Sequence, residues 1–321
     1  MAIKNANDVK LRVESDAWSD VAEAFGRKAR IYDEFGRQHT NLERMRAKVR
    51  AHVQQALPAG RRLLEINAGT GADACYFARQ GYYVHATDLS AGMAAEIRVK
   101  ASREGLDQCL TVQQLSFTQL EEVQGAPFDG MLSNMGGVNC TPDLRAITDS
   151  IPGVLKPGGI VIWVVMPPIC LWELAQGLRG DLRLASRRLR PGGVVAQVEG
   201  LPVPTYYHSP RRVRAAFGSD FQILRLQGLS VFTPPADHKD FPRVHPRLYR
   251  WLVRLDDRLS DRFPFHSWGD FYILSLRYQP SLSPLASLSL PKLGEKGGKS
   301  GRDSPISLQA GPPLPQKGDP K

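Results

Sequence analysis

The chain has 321 residues, 42% of them hydrophobic and 23% charged, with 42 Lys+Arg against 32 Asp+Glu; this composition excludes disorder throughout and supplies a sizeable core in one large domain or two smaller ones. The longest strongly apolar run, Ile160–Met166, stops at Pro167-Pro168, well short of the roughly 20 residues that a spanning helix needs. The N-terminal MAIKNANDVKLRVESD has neither an apolar signal region nor a transit-peptide composition, so a cytoplasmic location is expected, with Cys75, Cys109, Cys140 and Cys170 as reduced thiols that form no C-x-x-C pair.

Two stretches with helical apolar spacing, Trp18–Phe35 and Leu42–Leu57, predict an N-terminal helical cap over 1–58. Strands are expected at Arg62–Asn67, Tyr83–Asp88, Leu110–Leu115, Phe128–Asn134 and Ile160–Met166, with helices such as Ser90–Arg103 and Thr141–Leu155 between them. That alternation means βαβ units and a parallel sheet, an α/β fold. Thr141-Pro142 reads as the start of its helix and LKPGG at 155–159 as its stop. The segment 167–210 exceeds the length of an ordinary α/β connection, and long insertions of this kind cover sites. Two more apolar runs, Phe221–Val231 and Phe271–Tyr278, flank a second insertion at about 232–268 that predicts one long basic helix. The Pro-, Ser-, Gly- and Lys-rich end, 279–321, predicts a disordered tail.

The stretch Leu63-Leu64-Glu65-Ile66-Asn67-Ala68-Gly69-Thr70-Gly71-Ala72-Asp73 runs from strand through small residues into a helix, where open α/β sheets bind ligands. Gly69 and Gly71 permit positive φ and close approach of a ligand, and Asn67 tolerates the left-handed region. Asp88, seventeen residues after Gly71 at the end of YVHATD, stands where a carboxylate can hold both hydroxyls of a ribose, and it can also cap the following helix. Gly69 to Ala74 matches the dinucleotide pattern G-x-G-x-x-G/A, so a NAD-binding Rossmann module is one reading. A pyrophosphate, however, seeks the positive N-terminus of a helix. Here Asp73 and Glu65 place two carboxylates beside the loop, which favours a nucleoside ligand with a cationic group.

These residues resemble the first motif of the class I S-adenosylmethionine-dependent methyltransferases, E/D-x-G-x-G-x-G, through Glu65, Asn67 in the first glycine's place, Gly69 and Gly71. The resemblance continues through Asp88, Leu89 and Met93 of DLSAGM, Leu115-Ser116-Phe117, Phe128-Asp129, Ser133-Asn134 and Leu155-Lys156-Pro157-Gly158-Gly159, in the family's order over about 60–166. Phe25 and Tyr32-Asp33 resemble the N-terminal element of its small-molecule members. The resemblance implies S-adenosyl-L-methionine as cofactor, with Glu65, Asn67, Ala68, Gly69, Thr70 and Gly71 as its loop and Asp88 on the ribose. It implies Leu89 and Met93 against the adenine, Tyr32, Ser116, Phe117, Ser133 and Asn134 as further contacts, and no metal. It further implies a Rossmann-like, doubly wound, seven-stranded sheet over 59–278 whose antiparallel last strand lies beside the fifth, with Phe221–Val231 and Phe271–Tyr278 as strands six and seven. The implied reaction is methyl transfer to a small organic or lipid-like acceptor.

Attack on a sulfonium methyl removes charge as the bond forms, so alignment dominates. Near-attack placement contributes roughly 7–11 kcal/mol, against about 3–5 kcal/mol for a general base. For an acceptor that must lose a proton, the expected bases are His208 and Tyr207, with Tyr206, in LPVPTYYHSP; a packed strand leading into the Pro210–Phe217 helix is the alternative. Asn134, Gly136, Gly137 and Asn139 follow the fourth strand, near the expected methyl. Along HPRLYRWLVRLDDRLSDRF, Leu248, Trp251, Leu252, Leu255 and Leu259 share a face and Arg247, Arg250, Arg254, Arg258 and Arg262 lie elsewhere. Such a helix either packs its stripe on the sheet or makes peripheral contact with an anionic membrane. Arg211, Arg212, Arg214 and the Arg179–Arg190 cluster keep RNA as an alternative acceptor, although no RNA-binding module accompanies them.

Overall fold

A computed structural model describes residues 19, 21–27, 39–198, 201–235 and 238–281. Tyr32, Asp33, the rest of the expected first cap helix and the expected tail from 282 onward lie outside the described residues. Helix α1 covers 21–27 and α2 covers Thr40–Ala56. Five parallel strands follow, β1 (Arg62–Ile66), β2 (Tyr83–Asp88), β3 (Leu110–Gln114), β4 (Phe128–Ser133) and β5 (Leu155–Val165), with α3 (Ala72–Arg79) and α4 (Ala91–Arg103) after β1 and β2. Two later strands, β8 (Phe221–Leu229) and β9 (Phe271–Tyr278), complete a seven-stranded sheet of order β3-β2-β1-β4-β5-β9-β8, in which β9 runs antiparallel to both neighbours. This is the doubly wound arrangement implied by the resemblance.

Side-chain alternation divides the core between the two faces of the sheet. Leu64, Ile66, Val161, Trp163, Tyr272 and Leu274 face one way. They are covered by α5 (Arg145–Thr148), α6 (Ile151–Val154) and α9 (Pro210–Phe217). Leu63, Ile162 and Ile273 face the other, under Met45 and Val49 of α2, Phe77 of α3 and Ile97 of α4. Helix α4 begins as its sequence predicts, with Ser90 Oγ accepting from Met93 N at 3.4 Å. The single helix expected over Thr141–Leu155 is instead two short ones. Thr141 Oγ1 closes a turn by accepting from Asp143 N at 3.1 Å, and Pro152-Gly153 permits only one further turn in α6.

The insertion after β5 holds α7 (Leu171–Gly177), α8 (Leu182–Ser186) and an antiparallel hairpin of β6 (Val194–Val198) and β7 (Leu201–Thr205). Its base is clasped by the fully buried Asn139, whose Nδ2 donates to Tyr206 O at 2.6 Å and Met166 O at 3.1 Å while Oδ1 accepts from Met166 N at 2.9 Å. Two members of the arginine cluster are held in ion pairs: the half-buried Arg187 donates twice to Glu173, and the buried Arg188 spans Glu173 and Asp270. Those two guanidinium groups are therefore not offered to phosphates.

The expected long basic helix resolves into α10 (Phe241–Val244) and α11 (Pro246–Leu259). Its buried edge differs from the expected leucine face: Tyr249 and Asp256 are buried, whereas Leu248 and Trp251 are 46% and 54% exposed. The helix is turned by Asp256, whose carboxylate accepts from Val231 N, Phe232 N and the Thr233 hydroxyl and pairs with Arg44 of α2. No helix among the described residues is long and apolar enough to cross a membrane. Replacing Asp256 by Ala leaves the Val231 and Phe232 amides without their acceptor and removes one of the two carboxylates that pair with Arg44. Urea titration should show a stability loss of about 3 kcal/mol; a loss below about 1 kcal/mol would mean that α11 is held by its apolar contacts.

Candidate functional site

The sheet order reverses between β1 and β4, and a cavity of about 220 Å³ opens there beside the carboxyl ends of the strands. The loop after β1 bounds it. Asn67, Gly69 and Gly71 all have positive φ, 55°, 57° and 76°, so the asparagine in the glycine position adopts the conformation that the position requires. A Cβ on Gly69 would enter open space, whereas one on Gly71 would stand 2.9 Å from Ile97 of α4. Gly69 thus keeps backbone open to a ligand, and Gly71, which does not line the cavity, lets α3 and α4 approach. Lys100 of α4 steadies the loop by donating to Thr70 O at 2.6 Å.

Of the other residues named from the sequence, Glu65, Asn67, Ala68, Gly69, Thr70, Asp88, Leu89, Met93, Phe117 and Asn134 line the cavity. Asp88 Oδ2 accepts from Gly69 N and Oδ1 from Ser90 N, both at 2.9 Å, so one carboxylate joins the loop to the next helix and still faces the cavity. Burial raises its pKa to about 6, against those two hydrogen bonds. Ser133 and Ser116 do not line the cavity: Ser133 Oγ accepts from Asn67 Nδ2 at 2.7 Å, and Ser116 Oγ bonds the Thr118 hydroxyl at 2.8 Å. Asn134 donates to Asp73 Oδ2 at 2.8 Å. Asn139 is consumed by the clasp.

Glu65 is 2% exposed and its Oε2 has no hydrogen-bond partner. Burial and then the neighbouring Asp73 carboxylate push its pKa well above the ordinary value, opposed by Arg46 and Arg50. Those arginines, both on α2, were not singled out in the sequence. Arg50 Nε donates to Asp73 Oδ1 at 2.6 Å and its Nη2 to Ala72 O at 3.0 Å, and Arg46 lines the cavity. The two carboxylates beside the loop are therefore accompanied by two guanidinium groups. Their spacing of four in LERMRAKVR was the available signal.

Val21 and Phe25 of α1, Cys140, Met166, Ala196 of β6, and Val203 and Thr205 of β7 form the remaining, largely apolar wall. Burial pushes the Cys140 thiol up to about 12, so it stays protonated. Neither His208 nor Tyr207 lines this cavity. His208 is fully buried, its Nε2 donating to Thr141 O at 3.0 Å. Tyr207 lines a separate cleft with Arg183, Arg187 and Arg190, and the Arg188 guanidinium lies 5.2 Å from its ring. Among the described residues one acidic cluster has metal-ligand proximity, Cys170, Glu173 and Asp270, but Arg187 and Arg188 already saturate its carboxylates.

A family model described as a methyltransferase domain matches residues 63–159. The chain is 31% identical over 161 residues to a malonyl-[acyl-carrier protein] O-methyltransferase of Enterobacter lignolyticus, covering 50% of this chain and 58% of that protein. It is also 31% identical over 109 residues to a ubiquinone biosynthesis O-methyltransferase of Xylella fastidiosa, covering 34% and 43%. The chain therefore spans less than two thirds of these curated relatives. A Burkholderia thailandensis 1,6-didemethyltoxoflavin-N1-methyltransferase, crystallised with its substrate and S-adenosylhomocysteine, superposes with a TM-score of 0.51 at 16% identity over 87% of this chain and 93% of that one. The CcbJ methyltransferase of Streptomyces caelestis gives 0.52 at 16% identity over 79% and 96%. At such identities the likeness is one of fold.

Burial lowers the pKa values of His208 and of His52, which bonds Ser275 at 2.5 Å, to about 4 each. Both stay neutral in the fold, so stability is complete above the unfolded value of 6.5 and is lost as pH falls toward 4. Each should cost about 2 kcal/mol between pH 7.5 and 5. Urea titrations at the two pH values should show this, with a shallower dependence for His208→Gln; an unchanged slope would place the pH response elsewhere.

Proposed function

We propose that the chain is a class I S-adenosylmethionine-dependent methyltransferase and that it uses S-adenosyl-L-methionine to methylate a small organic or lipid-like acceptor, a reading supported by the matched methyltransferase domain and the similar O-methyltransferases. The observation that carries this reading is one cavity joining Glu65, Gly69 and Asp88 to an apolar wall of Phe25, Met166, Ala196 and Val203.

The residues present fit the cofactor. The orphaned Glu65 Oε2 suits an ammonium group, Arg46 a carboxylate, and Asp88 the ribose hydroxyls, while Leu89, Met93 and Phe117 offer an apolar slot for a flat base. When bound, the cofactor supplies an electrophilic methyl on a sulfonium. The chain's own work is alignment. Asn134, Gly136 and Gly137 border the cavity at the end of β4; a larger residue at Gly136 would be strained by its φ of 77° and would bring a Cβ to 3.1 Å from Met166 and Phe271. The hairpin and α1 pack through Val21, Ala24, Phe25 and Val203, excluding water from an apolar acceptor and favouring near-attack geometry over proton transfer. His208 and Tyr207, away from this cavity, act in support of the fold around it.

Titration calorimetry of the full chain with S-adenosylmethionine, S-adenosylhomocysteine and NAD tests the reading. The two adenosyl compounds should bind and NAD should not; NAD alone would establish a dinucleotide module. Asp88→Ala should weaken adenosyl binding by at least ~1 kcal/mol. Because the ionised Asp88 accepts best and titrates at about 6, affinity should hold above pH 7 and fall as pH drops through 6. An ammonium at Glu65 favours its ionised form, so binding near neutral pH should release a proton, visible as a dependence of the heat on buffer ionisation enthalpy. Glu65→Gln should abolish that dependence, and its persistence would exclude Glu65 as the partner.

A further inference from the structure

The outer face of α11 carries two stripes along its length. Leu248, Trp251 and Leu255 follow one line, and Leu248 and Trp251 are 46% and 54% exposed, as is Val244 of the preceding α10 at 58%. Beside it Arg247, Arg250, Arg254 and Arg258 recur at intervals of three and four and are all exposed. Just past the helix stand the exposed Arg262 and Phe263, the latter 84% exposed. The exposed counter-charge beside this stripe is Asp261, just past the helix end. Asp256 is buried beneath it, and Asp257 is paired with Arg44 and Lys48 of α2.

The packed core explains the other side of the helix, through Tyr249, Asp256 and Ser260, but not this one. An apolar row holding a tryptophan, with a parallel arginine row, suits a headgroup boundary. Apolar groups enter the acyl edge, and guanidinium stems extend along it while their charged heads meet phosphate. A second copy of the chain is a poor occupant, because a twofold contact would set one arginine row near the other. A nucleic acid would use the arginines and leave the apolar row in water.

We propose that the outer face of α11, through Leu248, Trp251 and Leu255 with Arg247, Arg250, Arg254 and Arg258, docks the protein on anionic lipid surfaces. The contact is peripheral and reversible, and α11 lies flat in the headgroup layer. The same helix is anchored to α2, which carries Arg46 to the cavity. The docking itself does not depend on the methyl-transfer reading.

Co-sedimentation of the full chain with vesicles of phosphatidylcholine and phosphatidylglycerol, against vesicles of phosphatidylcholine alone, tests it. Binding should be at least tenfold tighter to the anionic vesicles and should weaken with added salt. The double variant Leu248→Glu/Trp251→Glu and, separately, the milder Arg250→Gln/Arg254→Gln should each lose most of it, with thermal stability and adenosyl-compound binding unchanged. Absence of vesicle binding, equal binding to neutral vesicles, or full binding by both variants would overturn the proposal. So would a concentration-dependent dimer in sedimentation velocity that Leu248→Glu/Trp251→Glu dissolves, or a stronger affinity for single-stranded RNA than for vesicles.

Discussion

A carboxyl group kept out of water at the end of β1 sets the terms for much of this structure. Glu65 cannot be held there as an isolated charge, and the fold answers with two arginines from α2 and a raised pKa. Helix α2 must then pack on the face of the sheet beside that strand end. It is fixed to β9 by the bond between His52 and Ser275 and to α11 by the pairing of Arg44 with Asp256. The position of α11, and hence which of its faces meets solvent, follows from these long-range contacts. A polar requirement at one strand end is thereby connected to the outer surface of the molecule.

The same strand end shows how backbone and side chain share the work. Positive φ at Asn67 and Gly69 turns the chain so that amides and small side chains border the cavity, while Gly71 yields its space to Ile97. On the opposite side, Asn139 ties the chain at Met166 and Tyr206, which holds the β6–β7 hairpin against α1. A fully buried amide bonded only to backbone is a rigid joint. It gives the apolar wall a defined place without contributing a group to the cavity.

Much of the sheet is legible in the sequence because strands buried on both faces are rich in apolar residues: Ile160–Val165 is an unbroken apolar run, and Leu63–Ile66 and Phe128–Ser133 are largely apolar, interrupted by Glu65 and by Asp129 and Gly130. The loop is legible for a similar reason: few residues other than glycine and asparagine accept its conformation. The Thr141–Leu155 helix is misread because helical apolar spacing survives the break at Pro152-Gly153, where the backbone does not. The hairpin escapes notice because β7, Leu201–Thr205, carries two prolines and does not look like a strand, although an isolated two-stranded ribbon can tolerate them at its edge. The α11 face is rotated because amphipathic spacing registers leucines and cannot weigh one aspartate against the two backbone amides and the hydroxyl that need an acceptor.

What the sequence by itself determined are properties set within a few neighbouring residues: the alternation of strand and helix, the loop from Glu65 to Asp73, and the carboxylate of Asp88 at the next strand end. Local sterics and hydrogen bonding decide these, and neighbours in sequence are neighbours in space. Only the tertiary structure decided that Arg46 and Arg50 join Glu65, that Val203 and Phe25 close the cavity, and that His208 lies inside the fold and outside the cavity. Those outcomes depend on how separate elements pack, through desolvation and contacts between residues far apart in sequence, such as Phe25 and Val203, and no local pattern encodes them.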